Sequence, residues 1–219
     1  MTFPQAEKGI KKIYIAQILS VISAVIESLT ASFFIVCLIM IYNNMEISSV
    51  TGYVISTVLF SLISPLLMAI GYVLTLTGLF KAKADDENFK VSLYASVLSI
   101  VIQVVGVIWS YNNAVTSITN YLTTVTSFLS SAYIILGIRA LAVKLDRTDI
   151  DIKGKRCYNV ITVLFVLMTI SDVAVLIVNG TQWADLVVLS QLFGGILSFV
   201  QFIMIMLYLK KARKMLLTR

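Results

Sequence analysis

Lys11 to Tyr42, KKIYIAQILSVISAVIESLTASFFIVCLIMIY, is apolar for far longer than a soluble helix requires. About 18 or more apolar residues with few charges are enough to cross the hydrocarbon of a bilayer as a helix. Five further stretches have this character, so six spans are expected, at about 13–42, 53–80, 91–111, 118–143, 157–178 and 186–209. The first holds about 30 residues, roughly 45 Å of helix against a core of about 30 Å, so it must tilt, bend or keep one end among headgroups. The second contains Pro65, which removes a backbone donor and predicts a kink over 61–65. Composition agrees with the spans. The chain is 59% hydrophobic and 13% charged, with a mean hydropathy of +0.96. A soluble domain is nearer half apolar and a quarter charged. Six helices use nearly all of the sequence, so 1–219 reads as a single transmembrane domain with no soluble domain beside it.

Charge orders the connections. Lys8, Lys11 and Lys12 precede the first span, and Lys81, Lys83 and Lys90 lie between the second and third. Arg139, Lys144, Arg147, Lys153, Lys155 and Arg156 flank the next connection but one. Lys210, Lys211, Arg213, Lys214 and Arg219 follow the sixth span, and these groups account for all 17 basic residues. The alternate connections, NNMEISSVTG, YNNAVTS and NGTQWAD, have none. The positive-inside rule then predicts an even number of spans with both termini cytoplasmic. The net charge of +6 is therefore topology before it is ligand binding. The basic tail KKARKMLLTR suits an anionic lipid surface, and no aromatic-interleaved basic module points to nucleic acid.

Three segments open with a base and a similar apolar pattern: Lys12-IYIAQILSVI, Lys90-VSLYASVLSIVI and Arg156-CYNVITVLFVL. The expected architecture is an all-α polytopic bundle of three repeated helical hairpins, at about 11–83, 90–145 and 156–214, with the first helix of each pair nearer the axis. Aligning Leu19-Ser20 with Leu98-Ser99 and Leu164 puts Glu27, Gly106 and Asp172 at one repeat position.

The pieces GLFKAKADDENFK, KGIKKIYIAQIL and YLKKARKML resemble small six-span membrane proteins of Firmicutes that are uncharacterised. The resemblance covers most of the chain. It implies a bacterial plasma membrane and supplies no activity.

An acid inside a span costs at least a few kcal/mol, so Glu27 and Asp172 head the candidate residues. Ser20, Ser23, Glu27 and Thr30 recur at helical spacing on one face, and Thr162, Thr169 and Asp172 make a shorter stripe. Thr116, Asn120, Thr123, Ser127 and Ser130 or Ser131 form a third, and Gln103, Gln191 and Gln201 add embedded amides. A polar site between spans one, three and five is expected, with Glu27, Asp172, Gln103, Ser23, Thr30 and Thr169 binding a small ligand or ion. The competing reading is packing: small and hydroxyl residues, and the Gly194–Gly195 pair, let membrane helices approach and bond for about 0.6–2 kcal/mol. Catalysis is not expected. There is no histidine, no nucleophile–base set, no phosphate-binding glycine loop and no metal-ligand cluster, and no cofactor is implied. Cys37 and Cys157 fall at opposite ends of the topology, which argues against a disulfide. Asn179-Gly180-Thr181 is a glycosylation sequon only in a secretory-pathway host. Three functions stay open: a transport-related or ligand-binding protein, a structural or accessory subunit, and a receptor or sensor without an output domain. The bilayer is the one partner implied outright, with a second copy or another membrane subunit open.

Overall fold

A computed structural model describes the backbone of residues 3–42, 47–111, 113–178 and 184–217, and the side chains of these except at 41, 47–50, 113, 114, 174–178 and 184–192. Six helices follow one another: α1 (Pro4–Tyr42), α2 (Ile47–Ala82), α3 (Asn88–Ile108), α4 (Asn113–Lys144), α5 (Thr148–Val178) and α6 (Ala184–Leu217). All six are long and apolar enough to cross a membrane. The chain is thus an all-helical, multi-pass membrane bundle. Most helices outrun their apolar cores at the basic end, because lysine, arginine and acid side chains continue a helix once its apolar part has nucleated it. α1 starts with Pro4 in its first turn, where the missing N–H is no loss. α2 runs through Pro65 as one helix.

Consecutive helices pack side by side, and α6 returns to α1, so the six close into a ring. The hairpin pairs α1–α2, α3–α4 and α5–α6 are all in contact, with α2 meeting α3 most sparingly. Among the described residues α1, α3 and α5 do not touch one another. The expected site between those three is therefore not assembled. Nor are the first helices the inner ones: α4 has the most enclosed span and touches α3, α5 and α6. Its surface explains this. Ser130, Ala132, Gly137 and Ala142 are small, and Phe89 of α3 lies flat on Gly137, where a Cβ would fall 2.8 Å from the ring.

The apolar core lies at the basic end. Ile10, Leu79, Phe89, Ile138, Leu141 and Leu209 are fully buried there, one or more from α1, α2, α3, α4 and α6, and α5 adds Ile161. Polar bonds tie the same end together. Asp85 accepts the Ala6 backbone N–H at 2.6 Å, satisfying a donor of the first turn of α1. Asp86 accepts both the backbone and side-chain amide of Asn88 and pairs with Lys144 at 3.2 Å. Arg139 pairs with Asp151 at 2.7 Å, joining α4 to α5. α4 ends in a Schellman turn: Asp146 takes φ 54°, its N–H bonds Val143 O, and the Arg147 N–H reaches Ala142 O. Both terminal segments and the two charged connections therefore meet at one end of the ring, as the alternation of charge requires. Cys37 and Cys157 are both buried and free.

Candidate functional site: a hydroxyl-lined cavity and two acids outside it

Between the helices lies a partly open cavity of about 280 Å³ to which every helix contributes a residue. Its wall is unusual for a space between membrane helices. α4 supplies Thr123, Thr124, Ser127, Ser130 and Ser131, which is the polar stripe legible in the sequence. α3 adds Ser96 and Ser99, α1 adds Gln17 and Ser20, α2 adds Tyr72 and Thr75, and α6 adds Ser198 and Gln201. Among the described residues no charged side chain lines it. Ile13 and Ile134 also face it, and both belong to the core at the basic end, so that core forms the cavity floor.

Many wall hydroxyls already have partners. Ser130 Oγ lies 2.7 Å from Ser96 Oγ and 3.1 Å from Ser92 Oγ, and Ser92 also donates to the Ser130 carbonyl. Ser99 and Ser127 approach at 3.5 Å. Tyr72 OH lies 3.1 Å from Gln103 Oε1 and 3.0 Å from Gln103 Nε2, and Gln103 Nε2 reaches Ser99. The Tyr72–Gln103 pair is thus a polar link across the sparse α2–α3 seam. Gln17 Nε2 differs: it is a buried donor without a partner among the described residues, on the cavity wall.

The sequence-based candidates scatter around this space. Gln103 touches its wall through Tyr72 and Ser99. Asp172 sits one layer out, near the cavity-lining Thr124, whose hydroxyl donates to the Asn120 carbonyl of its own helix. Its Oδ2, and Thr169 Oγ1 one turn away, are buried without partners among the described residues. Ser23 and Glu27 lie on the α1–α2 seam, where Ser64 bonds both. Thr30 donates back to the Ile26 carbonyl of its own helix. The stripe Ser20, Ser23, Glu27, Thr30 is therefore split: only Ser20 faces the cavity. The aligned acids also differ in partner. Glu27 faces the second helix of its own hairpin, as Gly106 does by packing on Thr119, whereas Asp172 reaches α4 of the preceding hairpin.

Gln17, Tyr72, Thr75 and Ser198 were not singled out by sequence. Gln17 extends the Ser20 stripe by one turn, and that spacing is the signal that marks it. A Cβ built on Gly194 or Gly195 meets nothing within 4 Å, so this pair supports no close helix approach among the described residues. Gln191 and the sequon at 179–181 lie outside the residues whose side chains are described. No group of three metal-ligating side chains occurs among the described residues.

Family models, curated proteins and solved structures give no match to this chain.

Proposed function

We propose that this is a transport-related or ligand-binding membrane protein whose cavity holds a small, uncharged, polar solute. The observation that carries the reading is the wall: hydroxyls and amides from five of the six helices, set among apolar side chains such as Met68, Met168 and Phe202, with no charged side chain among the described residues. Such a surface bonds hydroxyl, amide or ether groups, and it offers an ion no opposite charge. A volume of about 280 Å³ is at the lower end for a ligand pocket, roughly 300 Å³, which favours a solute of few heavy atoms. Gln17 Nε2 is the donor placed to orient it. The reading is non-catalytic. It takes both termini as cytoplasmic, in a bacterial plasma membrane.

A stability assay tests it. Small polyols and amides should raise the melting midpoint of the purified protein in proportion to ligand occupancy, and charged analogues of the same size should not. Ser127→Leu fills the cavity. It should keep the fold and lose the stabilisation. Stabilisation that survives the filled cavity would remove the solute from this site. A second reading, an accessory subunit, is favoured by the Ser92–Ser96–Ser130 cluster, which bonds α3 to α4 with no ligand needed. Indifference of the wild-type midpoint to every solute would put that reading first.

A further inference from the structure

We propose that Glu27, Ser64 and Ser23 form a sodium site on the α1–α2 seam, separate from the cavity and independent of the solute reading. Glu27 lies in apolar sequence, and among the described residues no lysine or arginine stands within ion-pair distance of it. An ionised carboxylate in such surroundings needs a proton or a cation. One is not supplied by the protein, yet neutral oxygens are gathered beside it. Ser64 Oγ is 2.7 Å from Glu27 Oε1, and Ser23 Oγ is 2.6 Å from Ser64 Oγ. Ser64 is 2% exposed and Ser23 0%, so both hydroxyls are fixed by the seam.

Proton accounting shows how they can turn to a cation. A serine hydroxyl has one proton and two lone pairs. Ser23 Oγ donates to the Ser64 carbonyl at 3.1 Å, and Ser64 Oγ has the Ser23 carbonyl at 3.5 Å as a second acceptor. Each proton can thus go to the opposite backbone. Turning the Ser64 proton to the Ser23 carbonyl gives up its bond to Glu27 and leaves a Ser64 lone pair facing the carboxylate, with Ser23 held behind it by its bond to the Ser64 carbonyl. Pro65 follows directly and removes the helical donor of the Ser61 carbonyl, adding a backbone oxygen to this turn of α2.

The donor set narrows the ion to a hard, singly charged cation, of which sodium is the small and abundant one. All donors are oxygen, which suits a hard cation and no thiophilic metal. The single negative charge balances one positive charge, whereas calcium sites usually gather several carboxylates and more ligands. Glu27 itself is exposed on the outer face of the seam, so a cation can reach it from that side. A proton competes for the same carboxylate.

Dicyclohexylcarbodiimide, an apolar reagent specific for protonated carboxyls, tests this on the full chain in vesicles of neutral lipid. The rate of modification at Glu27 is followed by peptide mass spectrometry, in sodium chloride and in choline chloride of equal ionic strength, across a pH series. Sodium should slow the reaction about tenfold and choline should not, and Ser64→Ala should raise the half-protecting sodium concentration by about tenfold. Ser28→Ala, whose hydroxyl only bonds the Ala24 carbonyl, should leave it unchanged. Sodium should likewise raise the melting midpoint of the wild type and not of Glu27→Gln, a readout that needs no labelling. Equal rates and equal midpoints in the two salts overturn the site, as does full protection in Ser64→Ala. Ser127→Leu should keep its sodium response; losing it would overturn the separation from the cavity.

Discussion

Asp146 shows what a single residue contributes to a bundle like this. It ends α4 in the left-handed region, where a side chain costs roughly 1 kcal/mol and glycine costs nothing. Its side chain is exposed, so the backbone term should dominate. Asp146→Gly should therefore raise unfolding stability in detergent by about 0.5–1 kcal/mol. A lower midpoint would mean that the carboxylate itself holds the turn. The two embedded acids differ at the same scale. Glu27 is bound by one hydroxyl at the edge of a seam, and Asp172 is tucked behind the cavity wall beside Thr124. Both were legible in the sequence as costly residues inside apolar runs. Their separation was not, because helical periodicity ranks residues by face without saying which neighbour that face meets. The serines carry the same lesson in reverse: Ser127 and Ser131 line a cavity and Ser23 locks a seam, with no difference in local pattern to tell them apart.

Between elements, the α1–α2 pair rests on glycine. A Cβ on Gly9 would sit 2.5 Å from the Gly78 carbonyl oxygen, and one on Gly78 would sit 2.7 Å from the Gly9 carbonyl oxygen. Backbone cannot swing aside as a side chain can, so either methyl must push the helices apart where Ile10, Ile13 and Leu79 are fully buried. Gly78→Ala should destabilise the protein by about 2 kcal/mol, and Gly52→Ala, with open space around its Cβ, should be neutral or slightly stabilising. Similar losses from both would show that the close approach is not what matters. The six elements themselves were plain from hydropathy, since about twenty apolar residues leave a chain few other choices. Their ends were not: α1 begins at Pro4 and α6 reaches Leu217, because charged turns lack the apolar signal yet still pack their buried faces, as Ala6, Ala212 and Met215 do.

Over the whole molecule, the basic end is the packed end, and the sequence foresaw its charge but not its structural weight. If the positive-inside rule sets the orientation, a cysteine at Asp149 should react with an impermeant maleimide only after the cells are opened, and one at Asn113 should react on intact cells. Reaction at Asp149 from outside would invert the protein and move the tied, core-bearing end to the outer face. The native thiols are buried and should add little background.

The helices of this ring are also unequal in height. α3 has 21 residues, about 31 Å of helix, and just bridges a hydrocarbon layer of about 30 Å. α1 has 39, of which the apolar run over 13–42 alone is about 45 Å of helix, and it shares the ring with α3. Tilt could fit either helix to a given bilayer, but two helices in one closed ring cannot choose their tilts freely. The surrounding lipid must then stretch along one flank and compress along the other, at fractions of a kcal/mol per ångström. Bilayer thickness thereby becomes a mechanical load on the ring, and it bears on the sparse α2–α3 seam, where the tall wall meets the short one.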